Sequence, residues 1–512
     1  MTFFSARRWF ACIVPAAAVV AFAAMPGTAM AEGERDAQCA GSNIVMNGSS
    51  LQASAQVGTW NPDFNTAANT FACSGEKKPK VEYSQTEANK GSGACLKAFG
   101  IAHAPSFNEY PTCGTDEAPN ETAKGEVESH NDGEAGYEAK SLESIPVLQG
   151  ALAIMVHLPK GCKAEATIPA PAGKKVKLGR LALDNETIDK IYRGQITTWK
   201  GVEEAQGAGH GEDKVKCEVA AEAEDTIHPV VRADKSGTTH IFKAYLEQVD
   251  TAENIKMEEF ENPQGKGKVC TGARTKGEEK SWANVAEGCE NQRWPEGIEA
   301  SKIRPVVTGN PGVIKEVEAN ESSFGYGDLA QVRSETGGFS KKGVGGENKK
   351  GSETKVGEQL TKFWAEVQDT EPGLTPVGYA DPSSTGDVEK PANSNCAGTV
   401  YAAKPGEKFP PKSTRETWFA VKAELTQKKY NICGVTYDLA LRQYWFFLKP
   451  FGLTEEKSKE IATTVENYLF WVINAKANGG GALIKNKDYE KLSGTVLKEA
   501  ETGVKEIGNV KG

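Results

Sequence analysis

An arginine, a run of hydroxyls and a helix start fall together at residues 228–240, His-Pro-Val-Val-Arg-Ala-Asp-Lys-Ser-Gly-Thr-Thr-His. Ile227 to Val231 reads as a short apolar strand that delivers Arg232. Ser236, Gly237, Thr238 and Thr239 form a tight loop, after which Ile241, Phe242, Tyr245, Leu246 and Val249 share one helical face. A guanidinium, three hydroxyls and the first N–H groups of a helix are the donors an oxyanion needs. Two earlier stretches follow the same plan. Ile44 to Asn47 runs into Gly48-Ser49-Ser50-Leu51-Gln52, and Val81 to Tyr83 is followed by Lys90-Gly91-Ser92-Gly93-Ala94. A single turn of this kind is ordinary helix capping. Three of them, one with Arg at its strand end, point to one shared anion. In Cys113-Gly114-Thr115-Asp116-Glu117-Ala118-Pro119, sequence alone divides Asp116 evenly between a structural part, as turn residue or N-cap, and a functional one.

The elements that must hold these turns are strands feeding helices through short Gly loops, which is α/β architecture. Ile145 to Val156 is almost wholly apolar, the pattern of a strand buried on both faces. Leu181 to Leu183 reads as a strand end, with a short helix through Ile188, Ile191 and Tyr192 that stops at Gly194. Asp438 to Phe447, Ser458 to Ile473 and, more weakly, Tyr489 to Val504 read as amphipathic helices. Residues 200–225, 262–300 and 335–415 are rich in Gly, Lys, Glu and Pro with weak periodicity, and read as surface insertions.

Composition narrows the class. A formal charge of −9 argues against a nucleic-acid partner and requires an anion to be held by local donors rather than by long-range attraction. The six histidines (His103, His130, His157, His210, His228 and His240) are scattered, and no metal or cofactor is expected. No Gly-x-Ser-x-Gly or Walker A loop occurs, so catalytic residues are not expected either.

Residues 1–31 read as a signal peptide: Arg7 and Arg8, an apolar run from Ala11 to Ala24, and Ala29-Met30-Ala31 before Glu32. Whether export is general or twin-arginine stays open. No lipid anchor is evident, and no later stretch approaches about 20 apolar residues. Of the 11 cysteines, Cys12 falls in the leader. The rest form an even set, as disulfides in an exported chain would. Neighbour pairing gives Cys39–Cys73, Cys95–Cys113, Cys162–Cys217, Cys270–Cys289 and Cys396–Cys433, one connectivity among many.

Taken in order, the three turns, Gly114 to Pro119, the 181–199 block and Arg232 to Thr239 resemble the phosphate-binding proteins of bacterial ABC phosphate importers. Asn310-Pro311-Gly312-Val313, Ser323 to Tyr326 and Tyr468 to Trp471 with Asp488-Tyr489 continue the resemblance. It implies a two-lobed type II periplasmic-binding-protein fold with a central cleft and two crossover strands. One lobe would be 32–148 with 433–512; the other, 149–432, would hold the insertions. It implies that Ser50, Leu51, Ser92, Asp116, Arg232, Ser236, Gly237 and Thr238 bind inorganic phosphate, the protein being a monomer that delivers it to a membrane permease. This sequence has Ser50-Leu51 where the family usually has Thr-Phe, and Ser-Gly-Ala in the second turn where it has Ser-Ser-Gly. Alternatives on the same fold are a secreted phosphate scavenger, a surface interaction protein or a phosphatase.

Overall fold

Nine strands, drawn from both ends of the chain, form the main sheet of the computed structural model. The structure describes residues 41–66, 79–86, 90–137, 141–165, 167–169, 175–177, 181–206, 214–218, 225–249, 255–259, 279–280, 282, 293–296, 307–334, 339, 362–369, 378–385, 391–396, 399–401, 421–423, 429–476 and 479–508. The strands are β1 Ile44–Gly48, β2 Val81–Tyr83, β3 Thr112–Thr115, β4 Leu142–His157, β5 His228–Val230, β6 Ser323–Asp328, β7 Lys362–Trp364, β8 Cys433–Leu441 and β9 Tyr489–Lys491. Their order is β5-β6-β4-β8-β3-β1-β2, with β7 and β9 also paired to β4. The helices used below are α1 Ser92–Ala98, α2 Asn185–Tyr192, α3 Gly237–Val249, α4 Gly309–Ala319, α5 Leu329–Ser334, α6 Glu455–Ile473 and α7 Gly494–Val504.

The 16-residue β4 is buried along its whole length and holds the two halves together. From Leu142 to Ala151 it pairs with β8, and from Leu152 to His157 with β6. β1, β2 and β3 are mutually parallel on one side; β5 and β6 are parallel on the other. Each half buries its own helices. Trp60, Phe64, Tyr468 and Trp471 pack beside the first, and Tyr192, Phe242, Trp294 and Tyr326 cluster beside the second. Aromatic burial of this kind contributes roughly 2–3 kcal/mol per ring.

Two helix expectations are corrected. Residues 438–447 are not one helix: β8 runs to Leu441 and only Tyr444–Leu448 is helical. Every residue of β8 is buried, so no exposed face marks its period and its apolar spacing imitates a helix. Tyr489 starts a strand, not a helix; β9 pairs with Gly150 to Leu148 of β4 before α7 begins at Gly494. The stretches read as insertions also contain framework. Trp199–Gln206 is helical, and Phe363 and Trp364 of β7 are fully buried against β4.

Three disulfides are present among the described residues: Cys95–Cys113, Cys162–Cys217 and Cys396–Cys433. Cys39, Cys73, Cys270 and Cys289, and the leader, lie outside the described residues. Among those residues no helix is long and apolar enough to cross a membrane.

Candidate functional site

The three turns converge where the carboxyl ends of the strands meet the starts of the helices, the place where open α/β sheets bind ligands. The first turn leaves β1 at Gly48 and carries Ser49, Ser50 and Leu51, all buried. The second opens α1 at Gly91, whose φ of +88° suits glycine. A side chain there would also lie 2.9 Å from Asp234 Oδ2. The Cys95–Cys113 bridge ties α1 to β3 and so fixes Ser92 beside Asp116, whose backbone N–H donates to Ser92 Oγ at 2.9 Å. The third turn runs from β5 into α3.

Arg232 is fully buried. Its Nε donates to Asp234 Oδ1 at 2.6 Å and its Nη2 to Asp234 Oδ2. Nη1 donates to Asn310 Oδ1 at 2.9 Å and, weakly, to Ser50 Oγ at 3.5 Å across the cleft. Burial opposes the guanidinium charge, but Asp234 more than restores it and the group is pushed upward. Asp116 is only 3% exposed. Its carboxylate receives Ser49 Oγ and, at 3.3 Å from the other half, Thr238 Oγ1. Burial raises its pKa, against the hydroxyls of Ser49, Thr436 and Thr238 and the charge of Arg232. The halves also touch through backbone, with Gly93 N–H donating to Lys235 O at 3.1 Å. At Gly237 an added Cβ would collide with Ser92 Oγ and sit 2.7 Å from Asp116 Cβ. The start of α3 is therefore closed against the opposite turn.

The structure brings together Ser50, Ser92, Asp116, Arg232, Ser236, Gly237 and Thr238. Two residues do other work as well. Leu51 N–H donates to Ser49 Oγ at 3.0 Å, within the turn, and Ser236 Oγ accepts Thr239 N–H at 3.1 Å as a helix cap. Sequence reasoning missed four neighbours. Ser49 precedes Ser50 in the same turn and contacts Asp116. Asp234, two residues beyond Arg232, takes one edge of its fork. Asn310 anchors Arg232, and its buried Nδ2 has no partner among the described residues. Gln331 Nε2 donates to Ser50 O at 2.5 Å. The first two were within reach of local sequence; Gln331 is brought in only by tertiary folding. The candidate metal cluster of Cys162, Cys217 and Asp225 has both thiols committed to a disulfide.

Behind Asp116 lies a second buried carboxyl, Asp438, whose closest donor among the described residues is the Gln52 amide, too poorly placed for a full hydrogen bond. The nearby Gln52 Nε2 is used by Thr436 Oγ1 and Tyr437 O. Burial pushes Asp438 up to about 8, with Asp116 adding like-charge repulsion. The unfolded chain releases this proton near pH ~3.9. The folded protein holds it until about pH 8, so stability falls as pH rises between those limits. Asp438→Asn should melt higher than wild type at pH 8, with the gap closing toward pH 4. Thermal melts at the two pH values check this; an equal gap at both would count against a titrating Asp438.

A sheet crossed by two long central strands, β4 and β8, with turns from both halves meeting at its middle, defines the type II periplasmic-binding-protein fold. The profile of the PBP superfamily domain matches residues 58–370, and the chain belongs to that superfamily. No curated protein sequence matches it. Among solved structures, a high-affinity periplasmic phosphate-binding protein, PfluDING, with phosphate bound at pH 8.5, is 15% identical with a TM-score of 0.51, over 90% of this chain and 93% of its own. A human phosphate-binding apolipoprotein is 14% identical with a TM-score of 0.50, over 90% and 94%. The phosphate-binding protein of Stenotrophomonas maltophilia is 16% identical with a TM-score of 0.49, over 90% and 93%. At these identities the first two similarities bear on the fold alone.

Proposed function

We propose that this chain is an exported solute-binding protein that captures inorganic phosphate between its two halves and delivers it to an ABC permease. The observation that carries the reading is Asp116, a buried carboxylate set among hydroxyls and opposite Arg232. An acceptor in an anion site is useful only if the anion brings a proton. Hydrogen phosphate does and sulfate does not. The two solved structures of this fold named above are phosphate-binding proteins, which supports the choice.

The lobes are assigned as 32–148 with 433–512, and 149–432. The hinge falls on β4, where it changes partner between Ala151 and Leu152, and on β8. Bonds from Arg232 to Ser50 and from Thr238 to Asp116 cross between lobes, so a bound anion would favour closure through contacts available only when both lobes engage it. The disulfides fit an oxidising compartment outside the cytoplasm. We assign a binding role rather than a hydrolytic one because the site hydroxyls are engaged in holding the site: Ser236 caps α3, Ser49 and Thr238 donate to Asp116, and Ser92 and Ser50 accept from the Asp116 N–H and Arg232.

Calorimetry on protein stripped of anion tests this. Phosphate should bind at least about 100-fold more tightly than sulfate, since a site built around one hydrogen bond strongly rejects an analogue lacking it. Equal affinity for the two, or turnover of a phosphomonoester, would defeat the proposal.

A further inference from the structure

We propose that Asp328 is held as a neutral carboxylic acid donating to the Tyr489 hydroxyl, and that this pair, with Gln331, aims the first anion turn by holding the carbonyls of Ser50 and Leu51. This deepens the phosphate reading and rests on it.

Hydrogen counting requires the proton. Tyr489 has one hydroxyl hydrogen; Leu51 O lies at 2.7 Å and Asp328 Oδ2 at 3.1 Å from its oxygen, which the Ser54 hydroxyl also reaches as a donor. A peptide carbonyl can only accept, so the shorter contact takes the tyrosine hydrogen. The other contact is then a full hydrogen bond, rather than the weak arm of a shared one, only if Asp328 supplies the hydrogen. Oδ2 can still accept the Gln331 backbone N–H at 3.2 Å. Among the described residues Oδ1 is buried without a partner, a position suited to the carbonyl oxygen of an acid and costly for half of a carboxylate.

The surroundings agree. Asp328 ends β6 and is fully buried. The charged groups that face it are Asp488, whose own partner is Arg333 at 2.6 Å, and Asp116 across the site; both are acidic. On the β4 side stands Gly150, which has no side chain to offer, and Ser54 also reaches the Tyr489 hydroxyl. Burial moves the Asp328 pKa well above the usual carboxylate range, against the Gln331 N–H and the Tyr489 hydroxyl, which favour the charged form, and with a smaller push from the two like charges.

The consequence reaches the anion turn through two planar peptide units. Gln331 Nε2 holds Ser50 O at 2.5 Å and Tyr489 holds Leu51 O. On the far side of the same peptides, Leu51 N and Gln52 N donate to Ser49 Oγ at 3.0 and 3.2 Å, and Ser49 in turn donates to Asp116. An ionised Asp328 would compete for the tyrosine hydrogen, release Leu51 O and loosen the turn that sets Ser49 against Asp116.

Phosphate titrations of wild type, Asp328→Asn and Tyr489→Phe from neutral to strongly alkaline pH test the assignment. Tyr489→Phe should lose about tenfold in affinity, the worth of one buried hydrogen bond. Wild type should weaken at alkaline pH. Asp328→Asn, whose amide donates without titrating, should match wild type at neutral pH and lack that weakening. An alkaline loss shared by wild type and Asp328→Asn would overturn the proposal, as would Tyr489→Phe binding within twofold of wild type. Infrared difference spectra between wild type and Asp328→Asn at neutral pH give an answer independent of any ligand. A protonated-carboxyl carbonyl band belonging to Asp328 is expected, and its absence would overturn the assignment even in protein that binds phosphate. If wild type binds no phosphate but shows the band, the phosphate reading fails and the neutral Asp328 stands.

Discussion

Arg232→Ala should lower phosphate affinity by about 100-fold or more, some 3 kcal/mol, because it removes the cationic donor from a buried site. The acidic balance of the chain offers no replacement by long-range attraction, and its formal charge of −9 opposes an anion. Much of the loss comes from what remains. Asp234, 17% exposed, would keep a carboxylate without its guanidinium, facing the incoming anion. Asn310 Oδ1 and Ser50 Oγ would each lose a donor. Arg232→Lys separates charge from geometry. An ammonium restores the charge but cannot bridge Asp234, Asn310 and Ser50 at once, so it should recover only part of the affinity. Calorimetry on all three proteins decides the matter, with circular dichroism confirming the fold. Affinity in Arg232→Ala within a few-fold of wild type would mean that the anion binds elsewhere.

Arg232 also shows what the sequence made legible. The strand before it, the hydroxyl loop and the apolar face of α3 are consecutive, so each is specified by residues a few positions apart and can be read without the fold. The same holds for Ile44 to Leu51 and for α6, whose buried Ile461, Val465, Tyr468, Leu469 and Val472 keep helical spacing. Reading failed where both faces of an element are buried. In β8, Thr436 and Asp438 are as inaccessible as Leu439 and Leu441, so polarity carries no period. It also failed where a role depends on residues far apart in the chain. Ser49 could be seen as a turn residue, but its bond to Asp116 spans 67 positions, and Gln331 reaches Ser50 across 281. The turns themselves were therefore recognisable, while the residues that orient them were not.

Asp116→Asn should change selectivity more than affinity. The ionised carboxylate can accept the hydroxyl of hydrogen phosphate, whereas sulfate presents only lone pairs and adds charge repulsion. An asparagine keeps one oxygen to accept that hydroxyl, so phosphate binding should survive, weakened. Its amide N–H₂ can instead be turned toward sulfate, and the like charge is gone. Sulfate affinity should rise by about tenfold or more, and the phosphate-to-sulfate ratio should fall by about 100-fold. Wild type should approach the same behaviour in acid. Burial raises the Asp116 pKa despite the hydroxyls of Ser49, Thr436 and Thr238 and the Arg232 charge, so the carboxylate gains its proton at a higher pH than an ordinary aspartate. Once protonated it becomes a donor, and a donor accepts sulfate. Discrimination in wild type should therefore decline as pH falls through the folded-state pKa, beginning above the ordinary aspartate range, while in Asp116→Asn it should stay low and nearly flat. The ratio of the two affinities, followed by competition at each pH, cancels effects common to both anions. A variant that keeps the wild-type ratio, or a wild type whose ratio ignores pH, would place selectivity in the donor turns rather than in the one carboxylate they surround.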